Sequence, residues 1–411
     1  MSYQLSAISY QLLVTPGATQ GSPDRGLHRG LIGLGVAFAL SVLFVPVSMR
    51  LARRLGVIDR PVGDKIHLRP TPLMGGTAIA VAFLVTAGVW HVWTDLHPVK
   101  PTAPNTALTG LLIGCALAAA LGVWDELRTL PPRVHFLGQI GVVVVTLCLN
   151  FPIISSVSNP LGKIGAGHTS LLVLPIVGIL FTIFWIVGMM NTVNFLDGLD
   201  GLAGGVTAIA ALFLGLWELV VPNTFSPSHQ DQNVILPLML CGAILGFLVY
   251  NWAPARIFMG DSGAMFIGFT LGALSLFGTA PRIGTALLIL IVPIIDVAWA
   301  IVRRLLGRRS FASGDKHHIY HRMLDLGLSR RAVVLLFYGL CIVLGLIDLK
   351  LYRGDKVIAF AVVAVLAASG AVALEARGRR VTSRAAAHGS DTPPVEHPAV
   401  DQARTPSGTK A

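Results

Sequence analysis

Apolar runs of membrane-spanning length recur along most of the chain and constrain its fold more than any other feature. A helix of about 20 apolar residues crosses a hydrocarbon core of roughly 30 Å. Hydrophobic residues make up 54% of the chain and charged residues only 12%, about half the charged share of a soluble domain. The sequence therefore predicts an all-α polytopic membrane protein. We predict eleven spans, over roughly residues 30–49, 73–93, 106–124, 134–151, 171–190, 201–221, 234–252, 262–280, 283–302, 332–349 and 357–375.

The distribution of basic residues predicts the orientation of these spans. The odd-numbered connections and the C-terminal tail hold 23 of the 31 Lys and Arg residues. Because such residues concentrate in cytoplasmic loops, we expect the N-terminus outside and the C-terminus in the cytoplasm. Membrane topology thus explains the net charge of +11, which gives no reason to expect nucleic acid as a partner. We divide the chain into an extracytoplasmic segment (1–29), a transmembrane domain (30–375) and a disordered cytoplasmic tail (376–411).

Two smaller features fall outside this pattern. Residues 152–170 alternate loosely around Asn159-Pro160-Leu161-Gly162, which predicts a short external hairpin. The four cysteines lie inside apolar runs without ligand spacing, and we expect them to be small buried side chains.

Five polar segments lie in the odd-numbered connections, and the predicted topology places all five on the cytoplasmic face. Carboxylates at a membrane boundary are costly and commonly functional. Together they indicate one site for a metal ion and phosphate groups. They are Asp64-Lys65, Asp125-Glu126, the stretch from Asn191 to Gly201, the stretch from Phe258 to Gly263, and the stretch from Asp315 to His321.

The stretch from Asn191 to Gly201 is the most specific of the five. Asn191, Asn194, Asp197 and Asp200 follow at intervals of three, with no Lys or Arg among them. Amide and carboxylate oxygens without a basic partner favour a hard metal ion. The simpler alternative is a helix N-cap formed by Asp197 or Asp200. That alternative explains one aspartate and leaves the regular spacing unexplained.

Simpler explanations also exist for the other segments. Asp261 precedes a span and could be its N-cap, although Phe258 beside it offers a ring that could stack on a nucleobase. The histidines after Asp315 have a spacing that suits zinc, but no Cys or catalytic Glu accompanies them. A cationic loop that includes His318 and His321 is better suited to phosphate oxygens. Lys65 lies in a basic segment that could contact a phosphate or simply a lipid headgroup.

The order and spacing of these segments resemble the polyprenyl-phosphate N-acetylhexosamine-1-phosphate transferases, whose relatives include the phospho-MurNAc-pentapeptide translocases. The resemblance covers roughly residues 30–375. It implies transfer of a sugar 1-phosphate from a UDP-N-acetylhexosamine, for which we expect UDP-GlcNAc, to a polyprenyl phosphate such as undecaprenyl or decaprenyl phosphate. It also implies release of UMP, a requirement for Mg²⁺ or Mn²⁺, and an active site on the cytoplasmic side of the inner membrane; a homodimer is one assembly that it allows.

The resemblance assigns roles to residues that match the family's motifs. Asp261 matches the principal metal ligand and Asn194 an amide that helps to hold the metal. Phe258 matches the ring that stacks on uracil, Asp200 lies beside the uridine, and Asp125 matches the acid at the lipid phosphate. His318 and His321 match the histidine loop near the diphosphate and sugar. We add Glu126 to the catalytic residues, and Asn191, Asp197 and Lys65 to the substrate-binding residues.

Three positions depart from the family's pattern. The second acid is usually Asp and is here Glu126, whose carboxylate reaches about one C–C bond farther. The middle imidazole of the histidine motif is replaced by Tyr320. A Lys or Arg that commonly follows the paired acids is here His135, so we expect a phosphate contact there to depend on pH.

Alternatives remain for mechanism and function. Direct attack by the prenyl phosphate and a two-step route through a phosphorylated Asp125 both fit the residues. A MurNAc-pentapeptide substrate is the alternative within the family. A membrane transporter is the alternative from another class; it predicts ionisable residues near mid-span, which most spans lack, and Asp296 in the ninth span and Glu218 near the outer end of the sixth are the exceptions.

Overall fold

The structure is a computed structural model with side chains, and it describes part of the 411-residue chain. The described residues are 23–60, 70–96, 106–154, 156–158, 170–220, 230–277, 282–306, 319–351, 355–356, 358–365 and 369–370. The predicted tail, most of the predicted N-terminal segment, Lys65 and His318 lie outside them.

Helices dominate the described residues. In chain order they are α1 (Pro23–Leu55), α2 (Gly75–Leu96), α3 (Thr106–Arg128), α4 (Pro132–Cys148), α5 (Pro175–Leu196), α6 (Leu202–Val220), α7 (Gln230–Asn251), α8 (Gly260–Leu274), α9 (Ile283–Ile289), α10 (Ile291–Leu306), α11 (Ile319–Asp325) and α12 (Arg330–Asp348).

Seven of these helices are long and apolar enough to cross a membrane: α1, α2, α3, α5, α6, α7 and α12. Each coincides with a predicted span, so the polytopic helical membrane class is confirmed. The count of eleven and the orientation of the chain stay predictions. Helix α4 is apolar but shorter, with 17 residues.

The predicted ninth span is interrupted. Helix α9 ends at Ile289, and α10 begins at Ile291 after one intervening residue. Pro293 explains the interruption, because it has no N–H to donate to the carbonyl of Ile289. The thiol of Cys341 in α12 donates to that carbonyl instead, at 3.4 Å.

Helix α8 lies at the centre of the bundle, in contact with α2, α3 and α5. Every residue from Ser262 to Leu274 is buried. Glycines on the surrounding helices let it approach closely. A Cβ on Gly122 of α3 would lie 2.6 Å from the carbonyl carbon of Asp261, and one on Gly268 of α8 would lie 2.7 Å from the carbonyl oxygen of Met189 in α5. No side chain fits at those distances.

Two short antiparallel strand pairs accompany the helices. Strands β1 (Ile58–Asp59) and β2 (Thr71–Pro72) pair Ile58 with Pro72. Strands β3 (Ser156–Ser158) and β4 (Ser170–Leu172) pair Val157 with Leu171, which confirms the strand pairing of the predicted hairpin; its external position stays a prediction, and residues 159–169 lie outside the described residues. The cysteine prediction is wrong at one position: Cys148 is exposed because it lies in the last turn of α4, whereas the other three are buried.

A buried arginine closes the end of the bundle where α6 and α8 finish. Arg282 is 2% exposed, and its guanidinium donates to the carbonyls of Leu214, Asn233, Leu274 and Phe277 at 2.8–3.2 Å. Glu218, one of the two span carboxylates noted above, lies 3.8 Å from it. This carboxylate therefore has a structural partner, which weakens its value as evidence for a transport path.

Candidate functional site

The predicted acidic residues gather at one end of the bundle. Asp125 and Glu126 lie in the last turn of α3, Asn191 and Asn194 near the end of α5, and Asp261 in the first turn of α8. These helices run so that the end of α3, the end of α5 and the start of α8 meet. Four of the five predicted polar segments are described at least in part, and they come together here.

Asp261 and Asn194 are in direct contact, although they are 67 positions apart. The Asn194 side-chain amide donates to Asp261 Oδ1 at 3.0 Å. Helix α8 begins one residue before Asp261, and the N-cap position is Met259. The N-cap explanation for Asp261 is therefore wrong: its carboxylate lies in the first turn and faces α5.

Asp125 is held on both carboxylate oxygens. Its Oδ1 accepts from the backbone N–H of Leu130 at 2.6 Å, and its Oδ2 makes a short contact with the ring of His135. His135 lies in the first turn of α4, so the tight connection between α3 and α4 brings the imidazole back to the acid. His135 thus contacts Asp125 itself, a contact that the sequence did not suggest.

Glu126 points from α3 to the start of α8. Its Oε1 accepts from both the backbone N–H and the hydroxyl of Ser262, at 3.0 and 2.9 Å. Its Oε2 is buried and has no hydrogen-bond partner. The extra methylene relative to aspartate is what lets this carboxylate span the gap between the two helices.

Asp197 and Asp200 follow α5 and do not cap α6. Asp197 is the C-cap residue of α5, and Asp200 Oδ2 accepts from the backbone N–H of Ala255 at 3.0 Å. The N-cap explanation for this pair is therefore also wrong. Burial, with the nearby charge of Asp261, raises the pKa of Asp197 well above its usual range. Asp200 and Glu126 act in the same direction, so this site concentrates negative charge.

The backbone of Phe258, two residues before α8, is fixed by hydrogen bonds to the end of β2 and the start of α2. Its N–H donates to the carbonyl of Pro72, and its carbonyl accepts from Gly75, each at 2.9 Å. The N–H of Gly76 donates to Met259 at the same distance. The ring itself is only partly buried. These backbone hydrogen bonds connect β2 and the start of α2 to the segment that precedes α8.

The histidine loop reaches the site through its last residues. Tyr320 is 5% exposed, and its hydroxyl lies against Gly198, where a Cβ would overlap it. The rings of Tyr320 and His321 are 4.4 Å apart. Asp296 Oδ1 accepts from the N–H of Ile319 at 2.9 Å and so fastens the start of α11. His321 is thereby placed near the Asp197 turn; His318 lies outside the described residues.

Some residues that shape the site were not predicted. Gln139 accepts from the Asn191 amide at 2.8 Å and donates to Met265 Sδ, so Asn191 is engaged within the protein. Asn251 accepts from Gly201 N–H at 3.0 Å, and the Tyr338 hydroxyl donates to Gly201 O at 2.5 Å. Gln139 follows His135 by four positions, one helical turn. That spacing is a signal that the sequence contains.

The residues of the site suit a hard divalent cation that takes only some of its ligands from the protein. They do not form a complete set of protein ligands. Electrostatic repulsion acts between neighbouring carboxyl groups of the site, which belong to Asp125, Glu126, Asp197 and Asp261. Among the described residues, no group of three or more His, Cys, Asp or Glu side chains converges on one metal position. Mg²⁺ is commonly bound through one or two carboxylates together with water and substrate phosphates. Asp261 and Asn194 match such a partial ligand set.

The fold and this site together define an integral membrane protein with an acidic centre where the ends of its helices meet. Comparison with known proteins agrees with that class. Residues 108–279 match the family model described as glycosyl transferase family 4. The chain belongs to that family.

Three similar proteins cover most of the chain. One, from Bacillus subtilis (strain 168), is named probable undecaprenyl-phosphate N-acetylglucosaminyl 1-phosphate transferase; it is 30% identical over 76% of this chain and 83% of its own length. A decaprenyl-phosphate N-acetylglucosaminephosphotransferase from Mycobacterium tuberculosis is 33% identical over 82% of this chain and 85% of its own length. A phospho-N-acetylmuramoyl-pentapeptide-transferase from Mycolicibacterium vanbaalenii is 31% identical over 76% of this chain and 93% of its own length.

Proposed function

We propose that this protein transfers N-acetylglucosamine 1-phosphate from UDP-GlcNAc to a polyprenyl phosphate and releases UMP. The observation that carries the proposal is the Asp261–Asn194 contact beside Asp125, in a chain similar to relatives named for this transfer. The product is the lipid-linked sugar that starts a cell-envelope polysaccharide. The chemistry is proposed for the cytoplasmic face of the inner membrane, in line with the distribution of Lys and Arg.

The reaction brings two anionic phosphates together at an acidic site. Bound Mg²⁺ would offset that repulsion and stabilise charge on the transferring phosphoryl group. Asp261 and Asn194 would hold the ion. The prenyl phosphate is largely dianionic at neutral pH, because the second pKa of a phosphate monoester is about 6. Its oxygen can therefore attack the sugar-bearing phosphorus directly, and the P–O bond to UMP breaks.

The protein's own residues orient the two substrates. Asp125, fixed by Leu130 N–H and His135, positions the lipid phosphate. Phe258 offers a partly exposed ring for the uracil, and Asp200 lies next to the same loop through Ala255. His321, packed on Tyr320, would contact the diphosphate–sugar. His318 and Lys65 complete the proposed substrate contacts.

The direct test uses purified protein in detergent with UDP-GlcNAc, undecaprenyl phosphate and Mg²⁺. We expect UMP and lipid-linked GlcNAc phosphate in equal amounts. Asp261→Asn keeps the shape of the side chain and removes its charge. We expect it to reduce turnover by at least about 100-fold, in line with the loss of a charge at a phosphoryl-transfer site. Full activity in this variant would contradict the metal assignment.

A second substrate is carried by one specific observation, the 31% identity to the phospho-N-acetylmuramoyl-pentapeptide-transferase. The same assay with UDP-MurNAc-pentapeptide, and with other UDP-N-acetylhexosamines, separates the two. Transfer of the pentapeptide sugar in preference to GlcNAc would replace the proposal. Turnover with neither substrate would reject both.

A further inference from the structure

The start of α8 lacks a cap from its own chain segment. Its N-cap residue, Met259, is helical in conformation and makes no side-chain capping hydrogen bond. The first N–H groups of a helix have no partner within the helix and need one from elsewhere. Because Ser262 is buried, an unsatisfied N–H there would be costly.

Glu126 of α3 supplies the missing partner from another helix. One oxygen, Oε1, accepts both the backbone N–H and the hydroxyl of Ser262. The contact is supported by close packing on either side. Gly260 has φ +72°, and a Cβ there would overlap the Glu126 carboxylate. Gly122, one turn before Glu126, allows α3 to lie directly against the backbone of Asp261.

A glutamate at this position also has the required reach. The carboxylate must cross from the last turn of α3 to the second residue after Gly260. An aspartate is shorter by one methylene, which is about 1.5 Å. A hydrogen bond of 3.0 Å lengthened by that distance is no longer a hydrogen bond. Glutamate, in place of the family's second aspartate, therefore has the side-chain length needed to reach Ser262.

We infer that Glu126 is a positioning residue: it caps α8 across the helix interface and so fixes Asp261 for the metal. This assignment differs from the catalytic role that its place beside Asp125 suggests. What matters is the length of the side chain and one acceptor oxygen, and the negative charge contributes less. The inference rests on the proposed function for its activity readout and for the metal at Asp261, and the contribution of the cap to stability can be measured without either.

The test compares Glu126→Gln with Glu126→Asp. Glutamine keeps the length and one acceptor oxygen, whereas aspartate keeps the charge and loses the reach. We expect Glu126→Gln to exceed Glu126→Asp in turnover by about tenfold or more, the effect of the two buried hydrogen bonds to Ser262 that only the longer side chain keeps. If the charge carried the role, the order would be reversed, and the inference would be wrong.

A measurement without substrates separates this inference from the proposed function. MgCl₂ is titrated against the protein, and the thermal unfolding midpoint is followed. A ligand that binds the folded state raises the midpoint. We expect the rise for wild type and Glu126→Gln, and a rise displaced to at least about tenfold higher MgCl₂ for Glu126→Asp. An equal displacement in both variants would overturn the positioning role, whether or not any UDP-sugar is turned over.

Two further variants exclude a general effect on folding. Ser262→Ala removes one donor, and we expect it to lower the unfolding midpoint in wild type but hardly at all in the Glu126→Asp background, where the contact is already lost. Glu218→Asp is the matched control: it shortens another buried carboxylate, beside Arg282 at the opposite end of the bundle. It should lower the midpoint and leave the MgCl₂ dependence unchanged. A displaced dependence in this control would also refute the inference.

Discussion

Gly76 is the position where a single methyl group should separate Asp261 from the rest of the site. It lies in the first turn of α2 against the start of α8. A Cβ there would lie 2.7 Å from the carbonyl carbon of Ser262 and closer still to the backbone of Gly263. Carbon contacts are favourable at about 3.5–4.0 Å, so α8 must retreat by at least about 0.8 Å at Ser262. Neither neighbour is a side chain that can rotate away.

The retreat should have two measurable consequences in Gly76→Ala. Overpacking of a core costs about 1–3 kcal/mol, which lowers the thermal unfolding midpoint. Because Asp261 precedes Ser262 by one residue, it moves with the helix. A misplacement of about 1 Å can reduce catalysis by about 100-fold. We therefore expect a loss of turnover far greater than the loss of folded protein at the assay temperature.

Gly88→Ala is the matched control for this experiment. It is the same substitution in the same helix, and a Cβ there meets nothing within 4 Å. It should leave turnover intact and stabilise the helix by up to about 1 kcal/mol. Turnover is measured as UMP release by detergent-purified protein, and unfolding by a thermal shift. If Gly76→Ala behaves like Gly88→Ala in both assays, the close contact between α2 and α8 does not position the site.

Two further predictions concern the charges of the site. His135→Gln should lower turnover by about tenfold, since Asp125 loses a charge-assisted contact. His135→Lys should recover part of the lost turnover. Equal rates in the wild type and His135→Gln across substrate concentrations would show that the contact does not contribute to turnover. The pKa of Asp197 in the folded state is raised above its unfolded value of about 4, so the folded state binds the proton more tightly. The free energy of unfolding in EDTA should therefore decrease as the pH rises from the unfolded pKa to the folded pKa. Asp197→Asn should reduce this decrease in a pH series of unfolding midpoints. An unchanged series would contradict the raised pKa of Asp197, and with it the burial of this carboxyl and its closeness to Asp261.

The sequence predicted the class of fold because hydrophobic length alone determines it. Each of the seven long helices coincides with a predicted span. The interruption between α9 and α10 was missed, although Pro293 was visible, because a proline in a span often produces only a kink. Only the structure shows that Cys341 takes over the carbonyl of Ile289.

For the site, the sequence indicated which residues meet but not how they meet. Regular polar spacing and shared topology were enough to predict that Asp125, Asn194 and Asp261 lie together. The contact of Glu126 with Ser262 depends on how two helices approach each other, and that of Asp200 with Ala255 on how two connections do. Such distances are decided by glycines at helix crossings, and a single sequence does not reveal which glycine faces which helix.

The buried guanidinium of Arg282 has a consequence for how the chain assembles. All four carbonyls that it contacts, from Leu214 to Phe277, precede it in the sequence. Its carboxylate neighbour Glu218 precedes it as well. During synthesis, every partner of this charge therefore exists before the arginine itself leaves the ribosome. The first eight helices and the residues up to Phe277 therefore supply the hydrogen-bond acceptors for this charge without waiting for α9 to α12.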